Sequence, residues 1–205
     1  MTADLFATAT QLEPVHMPDA DVSYMPTLEI GADGAAVMRA LIQETPWRAE
    51  RIVVWGKSYP QPRLIAWFGD VEHSYTYSGI RLHPLPWTDL LRGIKAKVKA
   101  AVAAEFNSVL LNYYRDNRDS MGLHSDDEPE LGDRPTIASL SLGDERTLVF
   151  KHKHRSELKP VRLMLASGSL LLMKGETQRF WKHGIGKESR LCGPRVNLTF
   201  RRIYR

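Results

Sequence analysis

The second half of the chain consists of short β-patterned segments separated by turn residues, and this pattern limits the possible fold more than any other feature of the sequence. Each segment is long enough for one strand, and clusters of Gly, Pro, Asp and Ser lie between them. Regular short strands with turns between them indicate a β-sandwich or a barrel. Strands are predicted at 108–114, 136–142, 146–152, 161–165, 168–173, 179–183 and 195–203.

A His-x-Asp pair, His124 and Asp126, follows the first of these strands. Side chains alternate with a period of two in extended chain, so the imidazole and the carboxylate project to one side and can share a metal ion. His183 is the candidate third ligand, because it follows a strand and precedes the Arg-rich terminal strand. Two His and one carboxylate form a facial triad, which leaves positions open on non-haem Fe(II). Taken alone, a His-x-Asp pair is more often an ordinary surface or hydrogen-bonded pair.

The terminal strand carries two arginines, Arg195 and Arg201, which share one face with Asn197 and Thr199. A guanidinium binds a carboxylate through two parallel hydrogen bonds. Burying two guanidiniums on an inward face is costly without an anionic partner. This strand therefore favours a dicarboxylate cosubstrate.

The order of the motifs is Asn-x-Tyr at Asn112 and Tyr114, then His-x-Asp, the distal His and Arg-x-Asn-x-Thr-x-Arg. This order resembles that of the AlkB-like Fe(II)- and 2-oxoglutarate-dependent dioxygenases, which reverse alkylation damage in nucleic acids. The resemblance covers residues 50 to 205 and includes the lengths between motifs. It is nearest to the second and third animal homologues of the family, in the segments QPRLIAWFGD (61–70), YTYSG (75–79), HSDDEPELG (124–132), PTIASLSLG (135–143) and PRVNLTFR (194–201).

The resemblance implies a mainly β protein with flanking helices (α+β), built on a double-stranded β-helix, a jelly roll of the cupin kind. It also implies an N-terminal nucleotide-recognition lid. We expect an irregular or partly ordered N-terminal arm at 1–30 and a single dioxygenase domain at 31–205. Within that domain the lid would occupy 50–80 and the catalytic core 106–205.

The resemblance also implies the cofactors and their ligands. Fe(II) is expected on the catalytic residues His124, Asp126 and His183. The residues expected to bind 2-oxoglutarate are Asn112, Tyr114, Arg195, Asn197, Thr199 and Arg201. The implied reaction is oxidative dealkylation of bases of the 1-methyladenine and 3-methylcytosine type in DNA, with RNA as an alternative. Dioxygen is consumed, 2-oxoglutarate becomes succinate and CO₂, and formaldehyde is released.

Substrate contacts are implied both in the lid and beside the metal. The alkylated base must leave the stack, since iron cannot reach it inside a duplex. A carboxylate at the mouth of the pocket would select a positively charged methylated base over the neutral base. An alternative for Tyr75 and Tyr77 is a pair of core aromatics, and for Trp55 a residue packed under the lid. The expected substrate-binding residues are Trp55, Gly56, Lys57, Tyr75, Thr76, Tyr77, Asp127 and Glu128.

The first half of the chain predicts two helices and several short strands. One helix should begin after Asp33 as N-cap and end before Pro46. The second should lie within 86–105, with its lysines on a solvated face or, alternatively, on a phosphate backbone. Strands are expected at 51–55, 63–68 and around 75–77, with a loop at 56–62, and these strands would form a lid of hairpins.

Composition agrees with this interpretation without leading to it. At 205 residues and 43% hydrophobic content, the chain suits one domain with a sizeable core. The single cysteine, Cys192, excludes an internal disulfide and suits a reducing cytoplasm. No apolar run approaches the ~20 residues of a membrane helix, so we expect a soluble cytoplasmic monomer. A net charge of +4 and a pI of about 9.2 mildly favour a polyanionic partner.

Other functions remain open at this point. The triad could serve an oxygenase that acts on a protein or a small molecule, or the fold could be a non-catalytic nucleic-acid-binding module. A zinc hydrolase would use the same ligands but leaves the paired arginines unexplained. In KHKHR (151–155), His152 and His154 could bind metal, but the flanking cations oppose this, and a solvated or DNA-facing edge is preferred.

Overall fold

The structure, a computed structural model, describes residues 11–54, 57–70, 75–77, 80–82 and 84–204. For residues 52–54, 57, 58, 75–77 and 80–82 the description is limited to the backbone. Among the described helices, none is long and apolar enough to cross a membrane.

Short strands dominate the described part of the chain, and two long helices lie in its first half. In chain order the elements are β1 (Glu13–Pro14), β2 (Asp21–Met25), α1 (Gly34–Glu44), β3 (Arg51–Val54), β4 (Lys57–Pro60), β5 (Leu64–Gly69), β6 (Tyr75–Tyr77), β7 (Ile80–Leu82), α2 (Asp89–Val102), β8 (Ser108–Tyr114), β9 (Met121–His124), a 3-10 turn (Pro129–Leu131), β10 (Ile137–Gly143), β11 (Arg146–His152), β12 (Val161–Leu165), β13 (Leu170–Lys174), α3 (Thr177–Phe180), β14 (Trp181–Ile185) and β15 (Arg195–Arg201).

Two antiparallel sheets form the body of the protein. The larger has seven strands in the order β1-β2-β13-β10-β15-β8-β5, and the smaller has four in the order β12-β11-β14-β9. Side chains from both sheets meet in one apolar cluster that includes Ile137, Phe150, Leu171 and Trp181. Two sheets that share a core in this way form a sandwich. This is the mainly β jelly roll that the resemblance implies.

The central strands of the larger sheet are buried on both faces, and each face has a separate role. In β15 the apolar residues Val196, Leu198 and Phe200 join the core under the helices, while the intervening polar residues point between the sheets. Strand β10 pairs with β15 in register and alternates in the same way, with Ser139 and Ser141 on the inner face. The period of two along a strand therefore separates a structural face from a polar one.

The two long helices cover the outer face of the larger sheet. Asp33 caps α1 as predicted, since its carboxylate accepts from the backbone N–H groups of Ala35 (3.3 Å) and Ala36 (3.0 Å). Helix α2 starts at a second cap, where Thr88 Oγ1 accepts from the backbone N–H of Leu91. The apolar faces of α1 and α2 pack against the larger sheet in one hydrophobic core cluster. Helix α2 therefore buttresses the sheet, as its pattern predicts.

Two of the three lysines of α2 make intramolecular contacts. Lys95 Nζ lies 4.1 Å from the centre of the Trp87 ring, and Lys99 pairs with Glu105 at 2.6 Å. These contacts favour the solvated-face interpretation over a phosphate contact for both side chains.

Within the expected arm at 1–30, Asp21–Met25 pairs along its length with β13 and extends the larger sheet, so this part of the arm is ordered. Two other expectations about the first half of the chain are wrong. The expected loop at 56–62 contains Lys57–Pro60, which pairs antiparallel with β3. The segment Leu64–Gly69 pairs with β8 and belongs to the jelly roll rather than to a lid. Pairing with another strand depends on tertiary context, which the local sequence pattern does not reveal.

Candidate active site

A cavity opens between the two sheets, and each sheet contributes both polar and apolar side chains to its lining. The polar lining comes from the inner face of β15, from Tyr114 at the end of β8 and from three metal-ligand candidates. The apolar lining comes from Met121, Leu148, Leu165, Leu171, Met173 and Ile185. A polar site enclosed by apolar side chains restricts access of water and strengthens the electrostatic interactions inside it.

The structure brings His124, Asp126 and His183 together. His124 ends β9 and lies opposite His183 of β14 in the strand register. His124 Nε2 is 3.9 Å from Asp126 Oδ1, and His183 Nε2 is 3.8 Å from Asp126 Oδ2. The three ligand atoms lie within 4.8 Å of one another, and no other such group occurs in the described part of the chain. One metal ion could contact all three side chains.

The protonation states of this cluster suit a metal. Burial raises the pKa of the Asp126 carboxyl, but the charge of Arg201 and the two imidazoles outweighs it, so this pKa lies below its usual value. Burial, together with the charges of His124 and Arg201, lowers the pKa of His183 to about 3. At neutral pH Asp126 is therefore an anion and His183 a neutral imidazole, the forms that bind metal.

The two imidazoles differ in their outer contacts. His124 Nδ1 lies 3.0 Å from the carbonyl oxygen of Gly122, which fixes the ring and leaves Nε2 directed at the cluster. A metal-binding His usually donates its second N–H in this way. His183 Nδ1 is buried and has no hydrogen-bond partner among the described residues.

Arg195 is a buried cation without a counter-ion among the described residues. Its side chain is 1% exposed, and its Nη2 donates to Ser141 Oγ at 2.9 Å. Its Nε and Nη1 are buried with no hydrogen-bond partner in the same part of the chain. Burial lowers the pKa of Arg195 to about 10, so the group stays charged at neutral pH. An unpaired guanidinium in a cavity is costly, and an anionic ligand would satisfy it.

Asn197 and Thr199, on the same face of β15 as Arg195, belong to the polar lining of the cavity. Asn197 Nδ2 donates to Ser139 Oγ (2.7 Å) and to the carbonyl oxygen of Leu140 (3.1 Å), and Thr199 Oγ1 donates to Asn197 Oδ1 (2.9 Å). The ring of Tyr114 lies 5.1 Å from Arg195 Cζ. Asp126 Oδ2 is likewise buried without a hydrogen-bond partner among the described residues. The unpaired oxygen of Asp126 fits a cation such as Fe(II), and the unpaired nitrogens of Arg195 fit a carboxylate such as that of 2-oxoglutarate.

Asn112 and Arg201, two of the expected 2-oxoglutarate ligands, each contact a charged side chain. Asn112 Oδ1 accepts from Arg63 Nε at 2.8 Å, and Asn112 is not among the described residues that line the cavity. Arg201 lines the cavity, but its Nη2 donates to Asp126 Oδ1 at 2.6 Å. Arg201 therefore holds a metal-ligand carboxylate in place. A cosubstrate role stays a prediction for all six expected residues.

The expected substrate residues are described only in part. Asp127 is 60% exposed, and its Oδ2 lies 3.0 Å from Lys153 Nζ, so this carboxylate is paired with a cation. Glu128 is half-buried, and its Oε2 has no hydrogen-bond partner among the described residues. The side chains of Lys57, Tyr75, Thr76 and Tyr77 are not described, and Trp55 and Gly56 lie outside the described residues.

The expectation for KHKHR is wrong at His152. This side chain is 6% exposed, and its Nδ1 accepts from the backbone N–H groups of His154 (3.1 Å) and Arg155 (2.9 Å). Its ring packs edge-on against Trp181 at 4.9 Å. The alternation along β11 points His152 inward, so it is a core residue at the end of a strand rather than part of a solvated edge.

Sequence reasoning also missed a buried residue that contacts the metal-ligand segment. Gln178 Oε1 accepts from the backbone N–H of Asp126 at 3.0 Å. No motif spacing marks Gln178, because its contact depends on the close packing of two segments far apart in the chain.

The close approach of β9 to β14 requires a glycine at position 184. A Cβ atom there would lie 2.8 Å from the carbonyl oxygen of Met121 and 2.9 Å from that of Gly122. Gly184→Ala should therefore push β9 away from β14 and separate His124 from His183. A displacement of about 1 Å can cost on the order of 100-fold in rate, so turnover should fall by about that factor.

Gly186→Ala is the matched control for this substitution, since a Cβ at Gly186 would meet nothing within 4 Å among the described residues. Turnover and Mn²⁺ affinity should be measured for both variants. Equal behaviour of the two variants would show that the spacing of β9 and β14 does not set the metal site.

Comparison with known proteins agrees with the motifs and the cavity. The chain matches the 2OG-Fe(II) oxygenase superfamily over residues 22–201. It is 42% identical over 176 residues to the alpha-ketoglutarate-dependent dioxygenase alkB homolog 3 of Mus musculus, covering 82% of this chain but only 61% of that relative. It is 39% identical over 181 residues to the DNA oxidative demethylase ALKBH2 of Mus musculus, covering 84% of this chain and 76% of that relative.

The solved structure of OsALKBH1 has the same fold. It matches with a TM-score of 0.64 at 18% identity, over 93% of this chain and 99% of that chain. At this identity the likeness shows the fold alone, and it agrees with the jelly roll of two antiparallel sheets. The sequence relationships go further, and on them the chain belongs to the 2OG-Fe(II) oxygenase superfamily as an AlkB-like member.

Proposed function

We propose that this chain is an Fe(II)- and 2-oxoglutarate-dependent dioxygenase that removes N-alkyl groups from bases of the 1-methyladenine and 3-methylcytosine type. DNA is the proposed substrate, with RNA as the alternative. The proposal is supported by relatives named as an alpha-ketoglutarate-dependent dioxygenase and as DNA oxidative demethylases. This chain spans 61% of the first of these relatives, so the activity and the substrate of that whole protein are proposals for this chain.

The observation that carries the proposal is the pairing of two features in one cavity. The His-Asp-His cluster and Arg195 line the same cavity, and Nε and Nη1 of the buried Arg195 have no hydrogen-bond partner among the described residues. His124, Asp126 and His183 would hold Fe(II), and Arg195 would bind a carboxylate of 2-oxoglutarate. When bound, iron and 2-oxoglutarate supply oxidation of an N-methyl group by dioxygen, with formation of succinate, CO₂ and, from the hydroxylated methyl group, formaldehyde.

The chain itself contributes geometry and a dry pocket. Arg201 fixes one oxygen of Asp126 through its 2.6 Å contact and leaves Oδ2 for the metal. Apolar side chains of both sheets line the cavity beside the cluster, and such a lining restricts access of water. Asp127, beside the metal ligands, would attract a cationic base at the mouth, and this would require it to exchange its contact with Lys153.

Composition supports two further parts of the proposal, the polyanionic substrate and the cytoplasmic location. The net charge of +4 suits a polyanionic substrate, and the single buried Cys192 suits a reducing cytoplasm. We propose that the protein acts there as a monomer.

The substrate class can be tested by formaldehyde release. The protein, with Fe(II) and 2-oxoglutarate, should be given 1-methyladenine and 3-methylcytosine in single-stranded DNA, duplex DNA and RNA, and a methylated peptide. All reactions should use one salt concentration, because backbone electrostatics depend on salt. Formaldehyde from an oligonucleotide but not from the peptide is expected. Release from the peptide alone would replace the proposal with a protein oxygenase, and binding of oligonucleotide without release would indicate a non-catalytic module.

A further inference from the structure

Gln178 is a buried polar side chain that the proposed reaction leaves without a role. It lies in the short helix α3 and is 2% exposed. Its Oε1 accepts from the backbone N–H of Asp126 at 3.0 Å, and its Nε2 lies 3.6 Å from Met173 Sδ. Because the Asp126 N–H is a donor, the amide must present its oxygen there and its NH₂ to the sulfur. Both ends of the side chain are thus fixed.

The backbone at Asp126 needs such a partner. Strand β9 ends at His124, so Asp126 lies beyond the last ladder position. A buried backbone N–H must be satisfied from another source. Gln178 supplies the acceptor, although 52 positions separate the two residues.

Other contacts join the same two segments. Ser125 Oγ donates to the carbonyl oxygen of Trp181 at 3.0 Å. Trp181 is the first residue of β14, the strand that carries His183, and α3 leads directly into it. The loop with one metal ligand is therefore tied at two points to the segment that precedes another ligand.

Asp126 is consequently held from two directions. Gln178 fixes its backbone from the α3 side, and Arg201 fixes Oδ1 from the β15 side. Oδ2 is the atom left unpaired among the described residues, and it lies 3.8 Å from His183 Nε2. Loss of the Gln178 contact would let the loop move while the Arg201 contact remained.

We propose that Gln178 is a positioning residue of the metal centre, which holds Asp126 at a fixed distance from His183 before the metal binds. This inference rests on the metal-binding part of the proposed function and not on the nucleic-acid substrate. It is tested by metal binding alone. A chain that bound metal at this cluster but did not act on methylated DNA would defeat the proposed substrate and leave this inference intact.

The direct test is Mn²⁺ binding to the full chain without 2-oxoglutarate, followed by electron paramagnetic resonance of the free ion. Gln178→Met keeps the length of the side chain but lacks the oxygen acceptor. Loss of a partner that orients a metal ligand typically costs about 10- to 100-fold in metal affinity, and a loss in that range is expected. Gln178→Glu retains an oxygen at the same reach and should recover most of the affinity.

Thr177→Val is the matched control. Thr177 lies in the same helix and is 1% exposed, but its hydroxyl bonds the carbonyl oxygen of Lys174 (2.6 Å) and the backbone N–H of Asp21 (2.9 Å). This variant should lower the melting temperature and keep the Mn²⁺ affinity. If Gln178→Met does not fold, Gln178→Asn takes its place, because its shorter side chain does not reach the Asp126 N–H, and it should lose Mn²⁺ affinity while Thr177→Val keeps it.

Two results would overturn the inference. One is an unchanged Mn²⁺ affinity in folded Gln178→Met. The other is an equal loss of affinity in the Thr177→Val control and the Gln178 variants, which would reduce Gln178 to a general contributor to the stability of α3.

Discussion

Asp126→Ala is expected to abolish turnover and to remove the stabilisation of the fold by metal. Asp126 is the one anionic side chain in the His-Asp-His cluster, and its Oδ2 is buried without another partner among the described residues. Two imidazoles alone would hold a divalent ion weakly. In the unsubstituted chain, Mn²⁺ at about 100 times its dissociation constant should raise the free energy of unfolding by about 2.7 kcal/mol. Thermal melts with and without Mn²⁺ measure this difference.

The same substitution also removes the partner of Arg201, whose side chain is only 15% exposed. Removing one member of a buried ion pair typically costs about 3–5 kcal/mol of stability. Asp126→Asn is therefore the better comparison for the fold, because its amide oxygen can still accept from Arg201. Wild-type activity at limiting iron in either variant would show that the triad is assigned wrongly.

Arg195→Met should weaken 2-oxoglutarate binding and leave the unliganded fold at least as stable as before. Hydrogen bonds to charged groups contribute about 1.5–3 kcal/mol, so the dissociation constant of 2-oxoglutarate should rise about 10- to 100-fold. The unliganded protein gains by the same change, because Arg195 is a buried cation with two nitrogens unpaired among the described residues. Replacing such a charge with an apolar side chain is often neutral or stabilising. Calorimetry measures the affinity for 2-oxoglutarate, and a thermal melt of the unliganded protein measures its stability.

Arg146 is the matched control for Arg195, because it is also a buried arginine but its guanidinium has several hydrogen-bond acceptors. It is 0% exposed, yet it donates to the carbonyl oxygens of Asp116 (3.2 Å), Asp119 (2.8 Å) and Gly186 (2.6 Å). Arg146→Met should therefore destabilise the fold, since three carbonyl groups lose a charged donor. Two results together would contradict the account: Arg195→Met destabilises the unliganded protein as much as Arg146→Met, and 2-oxoglutarate binding is unchanged. Arg195 would then be a structural residue and not the binding site of an anion.

The alternation of side chains made much of the site predictable. In β15 a single rule, the period of two, separates Arg195, Asn197, Thr199 and Arg201 from the apolar residues under the helices. The same rule placed His124 and Asp126 on one side of the chain, and the pairing of β9 with β14 then brought His183 opposite. Short strands with clear turns were also predictable, and the predicted bounds of 108–114 and 146–152 match β8 and β11.

Contacts between distant segments were not predictable in this way. The strand Asp21–Met25 carries no strong local pattern, and its pairing with β13 depends on a partner far along the chain. The bond between Gln178 and the Asp126 backbone arises only after two segments pack together. Arg63 binds the Asn112 side chain because β5 lies beside β8 in the larger sheet. The sequence analysis assigned 50–80 to a lid, so it did not predict that β5 and β8 are neighbours.

The central claim, that metal and cosubstrate act together on an alkylated base, is tested most directly by product stoichiometry. Succinate, formaldehyde and repaired base should be quantified in one reaction on a single-stranded oligonucleotide that contains 1-methyladenine, with an unmethylated oligonucleotide as control. Equal amounts of the three products, and little succinate from the control, are predicted. Succinate that forms at the same rate with both oligonucleotides, without formaldehyde or repaired base, would contradict the claim.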